Sequence, residues 1–205
     1  MNKLYVIGIG PGEYEQMTLK AIHAMEKSEV IIGYTVYVDL VKEHFPGKEF
    51  LTTPMKKEVD RCVMAFEEAK KGKVVSMICS GDAGVYGMSG LMYEVGVNYP
   101  EVELEIVPGV TAALGGAAVL GAPLIHDFCL ISLSDLLTPW EKIEARLLGA
   151  SQADFVICLY NPSSKKRHDY LQKACDLMMQ YKSPETVCGT VCNIGREGEE
   201  YQVMT

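Results

Sequence analysis

Three glycine-rich stretches carry the residues most suited to chemistry. The first, Gly8-Ile9-Gly10-Pro11-Gly12, follows an apolar run and lets a ligand approach the backbone closely. Counting from Gly8 as the first glycine of a G-x-G-x-x-G dinucleotide loop, the third falls on Glu13. Pro11 also lacks the N–H that a phosphate cradle requires. The G-x4-G-K-[ST] phosphate loop occurs nowhere in the chain. This stretch is therefore not built for pyrophosphate, and by itself it also reads as a tight strand-to-helix turn. The second stretch, Ser80-Gly81-Asp82-Ala83-Gly84-Val85-Tyr86-Gly87, combines three glycines with one carboxylate. Asp82 there can hold an amino or hydroxyl group of a ligand, or cap the helix that follows. The third is Val107-Pro108-Gly109-Val110-Thr111-Ala112.

Each stretch follows a segment that reads as a strand: Lys3 to Ile9, Lys73 to Cys79 and Glu103 to Val107. Between them lie helix patterns. Thr18 caps one reaching about Lys27, Val36 to His44 is a second, and Tyr86 to Val97 follows the second loop. Lys57 to Lys71 carries Val59, Val63, Phe66 and Ala69 at amphipathic spacing. Shorter strands are expected at Glu29 to Gly33 and Glu49 to Thr52. Strands alternating with helices predict an α/β fold with a parallel sheet covered on both faces. Three loops at one sheet edge imply one crevice and one ligand. After Gly121-Ala122-Pro123 the alternation restarts. Strands are expected at Phe128 to Leu133, Ala153 to Tyr160 and Thr186 to Cys192, with helices at Trp140 to Leu148 and Arg167 to Tyr181. The expectation is two α/β lobes, 1–118 and 119–205, each a sheet flanked by helices. In the second, Arg196 to Thr205 reads as a strand start that leads nowhere, so that sheet looks incomplete.

The composition limits what such a fold can serve. Of 205 residues 48% are hydrophobic and 22% charged, which excludes a disordered chain. Nineteen Lys and Arg against 27 Asp and Glu leave a net charge of −8, which repels a nucleic-acid backbone. Ile106 to Ile125 carries no charge and approaches bilayer length, but Pro108, Gly109, Gly115, Gly116, Gly121 and Pro123 interrupt it, so no membrane association is expected. The start shows no signal-peptide pattern, and the reading is a cytoplasmic protein. Cys188 and Cys192 form the one close cysteine pair among seven, with an incomplete ligand set, so no metal is expected.

GIGPG, SGDAGVYG, VPGVTA and the later LYNP, in that order along the whole chain, resemble the tetrapyrrole methylases, the class III S-adenosylmethionine-dependent methyltransferases. Within that family, IIGYTVY, SGDAGVYGMSGLMYE, GAPLIHDFCLISLSDLLTPW and LYNPSSKKR are most similar to the branch acting at C17 of precorrin-3B or cobalt-precorrin-3, with Ser134 to Trp140 the most specific segment. That branch contracts the macrocycle during cobalamin biosynthesis. The resemblance implies S-adenosylmethionine folded in a cleft between the lobes, and a homodimer. By matching motifs, Pro11, Ser80, Gly81, Asp82, Thr111 and Ala112 would meet the cofactor, with Tyr160 and Ile194 closing on its adenine. A sulfonium cofactor needs backbone groups and apolar walls rather than phosphate donors, which agrees with the loops.

Ring contraction calls for an acid or base, and His126, Asp127, Ser134, Asp135 and Thr138 surround the specific segment. A polycarboxylate substrate on a net-negative protein calls for a local basic patch. Lys165, Lys166 and Arg167 form the best concentration, and Arg196 is a second candidate. Basic residues at a helix start would oppose the macrodipole, which favours a binding role for the first group. Three other readings are a sibling methyltransferase acting at another ring carbon, a nicotinamide-dependent oxidoreductase, and a binding remnant without turnover. Glu13 argues against the oxidoreductase.

Overall fold

A computed structural model describes residues 2–205. The chain divides into two units: the first holds the chain up to Gly115 together with Asn193–Glu199, the second Gly116–Cys192 with Glu200–Thr205. The expected boundary near 118 thus falls three residues earlier. The expected contiguous second lobe also gives up Asn193–Glu199, whose Arg196 side chain bonds to Pro11 and Ser80 of the first unit.

In the first unit five strands, β1 (Asn2–Gly8), β2 (Val30–Tyr34), β3 (Glu49–Thr53), β4 (Val75–Cys79) and β5 (Val102–Val107), form one parallel sheet in the order β3-β2-β4-β1-β5. The crossovers run through α1 (Leu19–Lys27), α2 (Thr35–Val41), α3 (Glu58–Lys70) and α4 (Ser89–Gly96). Successive strand residues point to opposite faces, and both faces are apolar. Leu4, Val6, Ile32 and Met77 pack with Phe66 of α3 and Met92 of α4. Ile7, Ile31 and Ile78 pack with Met25 of α1 and Val38 of α2 on the other face. This double coverage explains why the central strands read as continuous apolar runs.

Thr18 caps α1 as its position suggests, its hydroxyl accepting from the Ala21 amide at 3.1 Å. α3 differs from its pattern: Arg61, Cys62, Ala65, Phe66 and Ala69 are buried, whereas Val59 and Val63 are 53% and 37% exposed. The side of the helix that carries Arg61 faces inward because the guanidinium finds polar partners at the end of β3. α4 begins at Ser89 rather than Tyr86, since the preceding turn puts Tyr86 at φ 52°, outside the helical region. The uncharged stretch from Ile106 is divided between β5 and the eight-residue α5 (Ala112–Val119), and among the described residues no helix is long and apolar enough to cross a membrane.

The second unit holds β6 (Phe128–Ser132) and β7 (Val156–Tyr160), paired in parallel, with α6 (Trp140–Gln152) and α7 (Tyr170–Met178). Its core is Ile131, Leu133, Ile143, Leu147 and Ala174. β8 (Cys188–Cys192) and β9 (Glu200–Met204) pair antiparallel. The last segment, read as a strand leading nowhere, is therefore a paired strand. α7 starts three residues later than expected, so Lys165, Lys166 and Arg167 lie in the turn before it and the helix-dipole argument for them falls.

Candidate functional site

The sheet order brings the three glycine loops together. β1 lies between β4 and β5, with Gly8 opposite Cys79 and Ile7 opposite Val107, so the three chains leave the sheet at one level. Gly10 and Gly81 then exchange two backbone hydrogen bonds, at 3.0 and 2.8 Å. The loops touch backbone to backbone. A methyl group on Gly8 would lie 2.5 Å from the Gly81 carbonyl oxygen, and one on Gly109 would lie 2.2 Å from that atom and 2.4 Å from the Gly8 oxygen. These glycines therefore permit loop stacking, a different demand from the phosphate approach that a dinucleotide fingerprint serves.

Asp82 fastens the stack. One carboxylate oxygen accepts from the Gly84 and Val85 amides at 2.8 and 3.1 Å, and the other from the Gly109 amide at 2.9 Å. It does not cap α4, whose first turn lies beyond these amides. Thr18 adds a second tie, donating to the Pro108 carbonyl at 3.1 Å. Cys79 lies buried below the loops, where burial pushes its thiol up to about 11 and so keeps it protonated and unreactive at neutral pH.

The returning segment Asn193–Glu199 completes this cluster. Arg196 donates from Nε to the Pro11 carbonyl at 2.7 Å and from a terminal nitrogen to the Ser80 hydroxyl at 2.8 Å. Its guanidinium lies 5.9 Å from the centroid of the Tyr37 ring. A methyl group on Gly115 would touch both Ile194 (3.3 Å) and Pro11 (3.4 Å), so these two apolar side chains share one place. Thr111 is buried, with its backbone 3.7 Å from a Cβ built on Gly81. Of the expected cofactor residues, Pro11, Ser80, Gly81, Asp82, Thr111, Ala112 and Ile194 all belong to the first unit. Tyr160 ends β7 in the second unit, its carbonyl accepting from Leu133 at 2.8 Å.

Arg196 thus stands with the three glycine loops of the first unit, whereas Lys165, Lys166 and Arg167, with which it was grouped, belong to the second unit. Tyr34, Tyr37 and Arg61 join the same sheet edge, and sequence reasoning did not single them out. The signal was masked: an arginine in an amphipathic helix reads as solvent-facing. Burial raises the Tyr37 phenol above its ordinary value against the opposing pull of Arg196 and Arg61.

The other candidates lie in the second unit. His126 and Asp127 are exposed just before β6. Asp135 accepts from the Tyr170 hydroxyl at 2.7 Å and lies 3.6 Å from Arg167 Nε. Ser134 uses its amide to bond the Ser132 hydroxyl at 3.2 Å. Arg167 donates to the carbonyls of Leu133 and Asn161 at 3.1 and 3.4 Å, so it organises the segment after β6. Lys165 and Lys166 are exposed.

The first unit is thus a parallel sheet with three stacked glycine loops at its carboxyl edge, joined there by the returning segment Asn193–Glu199. Residues 3–205 match the family model for Tetrapyrrole (Corrin/Porphyrin) Methylases, and the chain belongs to that family. More particularly, it is 49% identical over 203 residues to the "Probable cobalt-factor III C(17)-methyltransferase" of Salmonella typhimurium, covering 98% of this chain and 84% of that protein. It is 47% identical to the "Cobalt-factor III methyltransferase" of Priestia megaterium, covering 100% of this chain and 38% of that longer protein. Among solved structures, the methyltransferase CobJ superposes with a TM-score of 0.90 at 33% identity, covering 100% of this chain and 86% of that one.

Proposed function

We propose that this protein transfers a methyl group from S-adenosylmethionine to C17 of a precorrin-3B or cobalt-precorrin-3 macrocycle, with the accompanying ring contraction, in cobalamin biosynthesis. The observation that carries the reading is the loop cluster of the first unit together with 49% identity to a C17-methyltransferase. The residues fit the cofactor. They provide backbone carbonyls and amides, the Ser80 hydroxyl, and apolar walls at Pro11, Ala112 and Ile194, without a phosphate cradle.

When bound, the cofactor supplies an activated methyl group on a charged leaving group. The protein's own work is positioning, because an in-line displacement needs the reacting atoms at about 3 to 3.5 Å and aligned. Asp82 and the stacked glycines hold the loop backbones rigid before the ligand arrives, so little ordering remains to oppose binding. Arg196 orients the Pro11 carbonyl and the Ser80 hydroxyl. His126, Asp127, Ser134 and Asp135 are the acid–base candidates for the ring contraction, and Lys165, Lys166 and Arg167 are candidates for the substrate's carboxylates. Action in the cytoplasm as a homodimer belongs to the same reading and rests on the family resemblance.

The test is incubation with S-adenosylmethionine and either macrocycle, followed by mass spectrometry of the tetrapyrrole. One added methyl group on a ring-contracted product is the expected result. Methylation at another ring carbon would favour a sibling activity, and cofactor binding without turnover would favour a binding remnant.

A further inference from the structure

We propose that Arg61 and Arg196 form a carboxylate-binding edge in the first unit, taking acid groups of the ligand held there. The inference rests on the methyltransferase reading and adds a residue, Arg61, that no motif marks. Arg61 is only 4% exposed. Its Nε donates to the Thr53 hydroxyl at 2.8 Å and one terminal nitrogen to the Pro54 carbonyl at 3.3 Å. Among the described residues Arg167 forms an ion pair with Asp135, but neither Arg61 nor Arg196 lies within 4.0 Å of an Asp or Glu oxygen. In a chain with 27 acidic residues, a buried Arg61 and a half-buried Arg196, each without a protein counter-ion, need explaining. A buried charge is strongly disfavoured unless a partner compensates it.

Their placement identifies the partner. Thr53 and Tyr34 are the last residues of β3 and β2, and Pro11 and Ser80 follow β1 and β4. The two guanidiniums therefore stand over the carboxyl ends of four neighbouring strands, where ligands bind in open α/β sheets. Two tyrosines connect them. The Arg61 guanidinium lies 5.9 Å from the Tyr34 ring, Tyr34 meets Tyr37 edge-on at 5.3 Å, and Arg196 lies 5.9 Å from the Tyr37 ring. Each guanidinium spends two of its nitrogens on neutral acceptors, and the third nitrogen of each makes no hydrogen bond among the described residues. A planar fork anchored on one side and stacked on an aromatic ring suits a carboxylate better than a lysine would. Asp82 is no competitor, since both its oxygens are engaged by amides.

Two sources supply this chemistry: the amino-acid carboxylate of the cofactor and the peripheral carboxylates of the macrocycle. Four probes separate them: S-adenosylhomocysteine, its analogue lacking the carboxylate, uroporphyrin, and fully amidated uroporphyrin. Each is titrated by calorimetry against wild type and the Arg61→Gln, Arg61→Lys, Arg196→Gln and Arg196→Lys proteins. The readout is the affinity ratio of each acid to its uncharged counterpart on the same protein, which does not depend on the folded fraction. The ratio is expected to fall about tenfold or more in the Gln variants and less in the Lys variants. A fall for S-adenosylhomocysteine alone assigns the edge to the cofactor, and a fall for uroporphyrin alone assigns it to the macrocycle. Ratios within about twofold of wild type for both pairs would overturn the proposal. Failure of wild type to bind S-adenosylhomocysteine or to methylate would instead overturn the methyltransferase reading.

Discussion

Asp82 offers a direct measurement of what holds the loops in place. Its carboxylate takes three backbone amides, two in its own loop and one, from Gly109, in the loop after β5. Replacement by Ala removes all three bonds. A hydrogen bond to a charged acceptor contributes about 1.5–3 kcal/mol when shielded. Because Asp82 is half-buried and water can reach the released amides, about 1 kcal/mol each, or about 3 kcal/mol in all, is the reasonable figure. For a protein of this size, each kcal/mol lowers the melting temperature by about 2–4 °C, so Asp82→Ala is expected to melt about 6–12 °C lower. If the loosened loops must reorder around ligand, the same free energy weakens S-adenosylhomocysteine binding by up to about 100-fold. Asp82→Asn keeps an acceptor for Gly84 and Val85 but turns an N–H toward the Gly109 N–H, so it should show about a third to a half of the loss. The assay is thermal melting by circular dichroism beside calorimetric titration of each variant. Loss of binding in Asp82→Ala with a melting temperature within about 1 °C of wild type would refute the reasoning, because the carboxylate would then be acting on the ligand itself.

Other outcomes follow from the same geometry. Gly109→Ala places a methyl group 2.2 Å from a backbone oxygen that cannot yield, and should destabilise by more than about 3 kcal/mol, read as lost soluble yield or a collapsed melt. Gly90→Ala, in α4 with open space around it, should stabilise by about 0.5–1 kcal/mol in a urea melt. Hydrogen bonds from Lys20 and Lys3 hold Glu105 down at about 2, so its contribution is present above about pH 4.5 and lost as pH falls toward 2. Allowing for partial exposure, wild type and Glu105→Gln should differ by about 1 kcal/mol in urea at pH 7 and converge at pH 2. Arg167→Met removes the donors to the Leu133 and Asn161 carbonyls. It should lower stability by about 1–2 kcal/mol; a raised KM with an unchanged melt would show that Arg167 meets substrate instead.

Much of the fold was legible in the chain itself. Both-face burial makes the central strands uniformly apolar, and glycine turns mark where each strand ends, so the alternation and the three loops could be read locally. The motif residues also sufficed for the family, which the match over residues 3–205 bears out. Helix orientation was less legible: α3 turns Arg61 inward and leaves Val59 exposed because the Thr53 hydroxyl at the end of β3 and the Pro54 carbonyl accept hydrogen bonds from the guanidinium, partners invisible to periodicity. α4 began late because turn geometry, with Tyr86 at positive φ, competed with helical pattern.

The strand order could not be read from the chain. Inserting β1 between β4 and β5 is what turns three separate glycine stretches into one stack and gives Asp82 an amide from Gly109 to hold. Arg196 reaches Pro11 across 185 positions, a contact that no local pattern encodes. The amino-acid sequence by itself determined which segments become strands, helices and backbone-exposing loops, because those depend on residue type and short-range spacing. Tertiary structure decided which loops meet and which charges are left without a protein counter-ion, because both depend on the sheet's order and on side chains brought together from opposite ends of the chain.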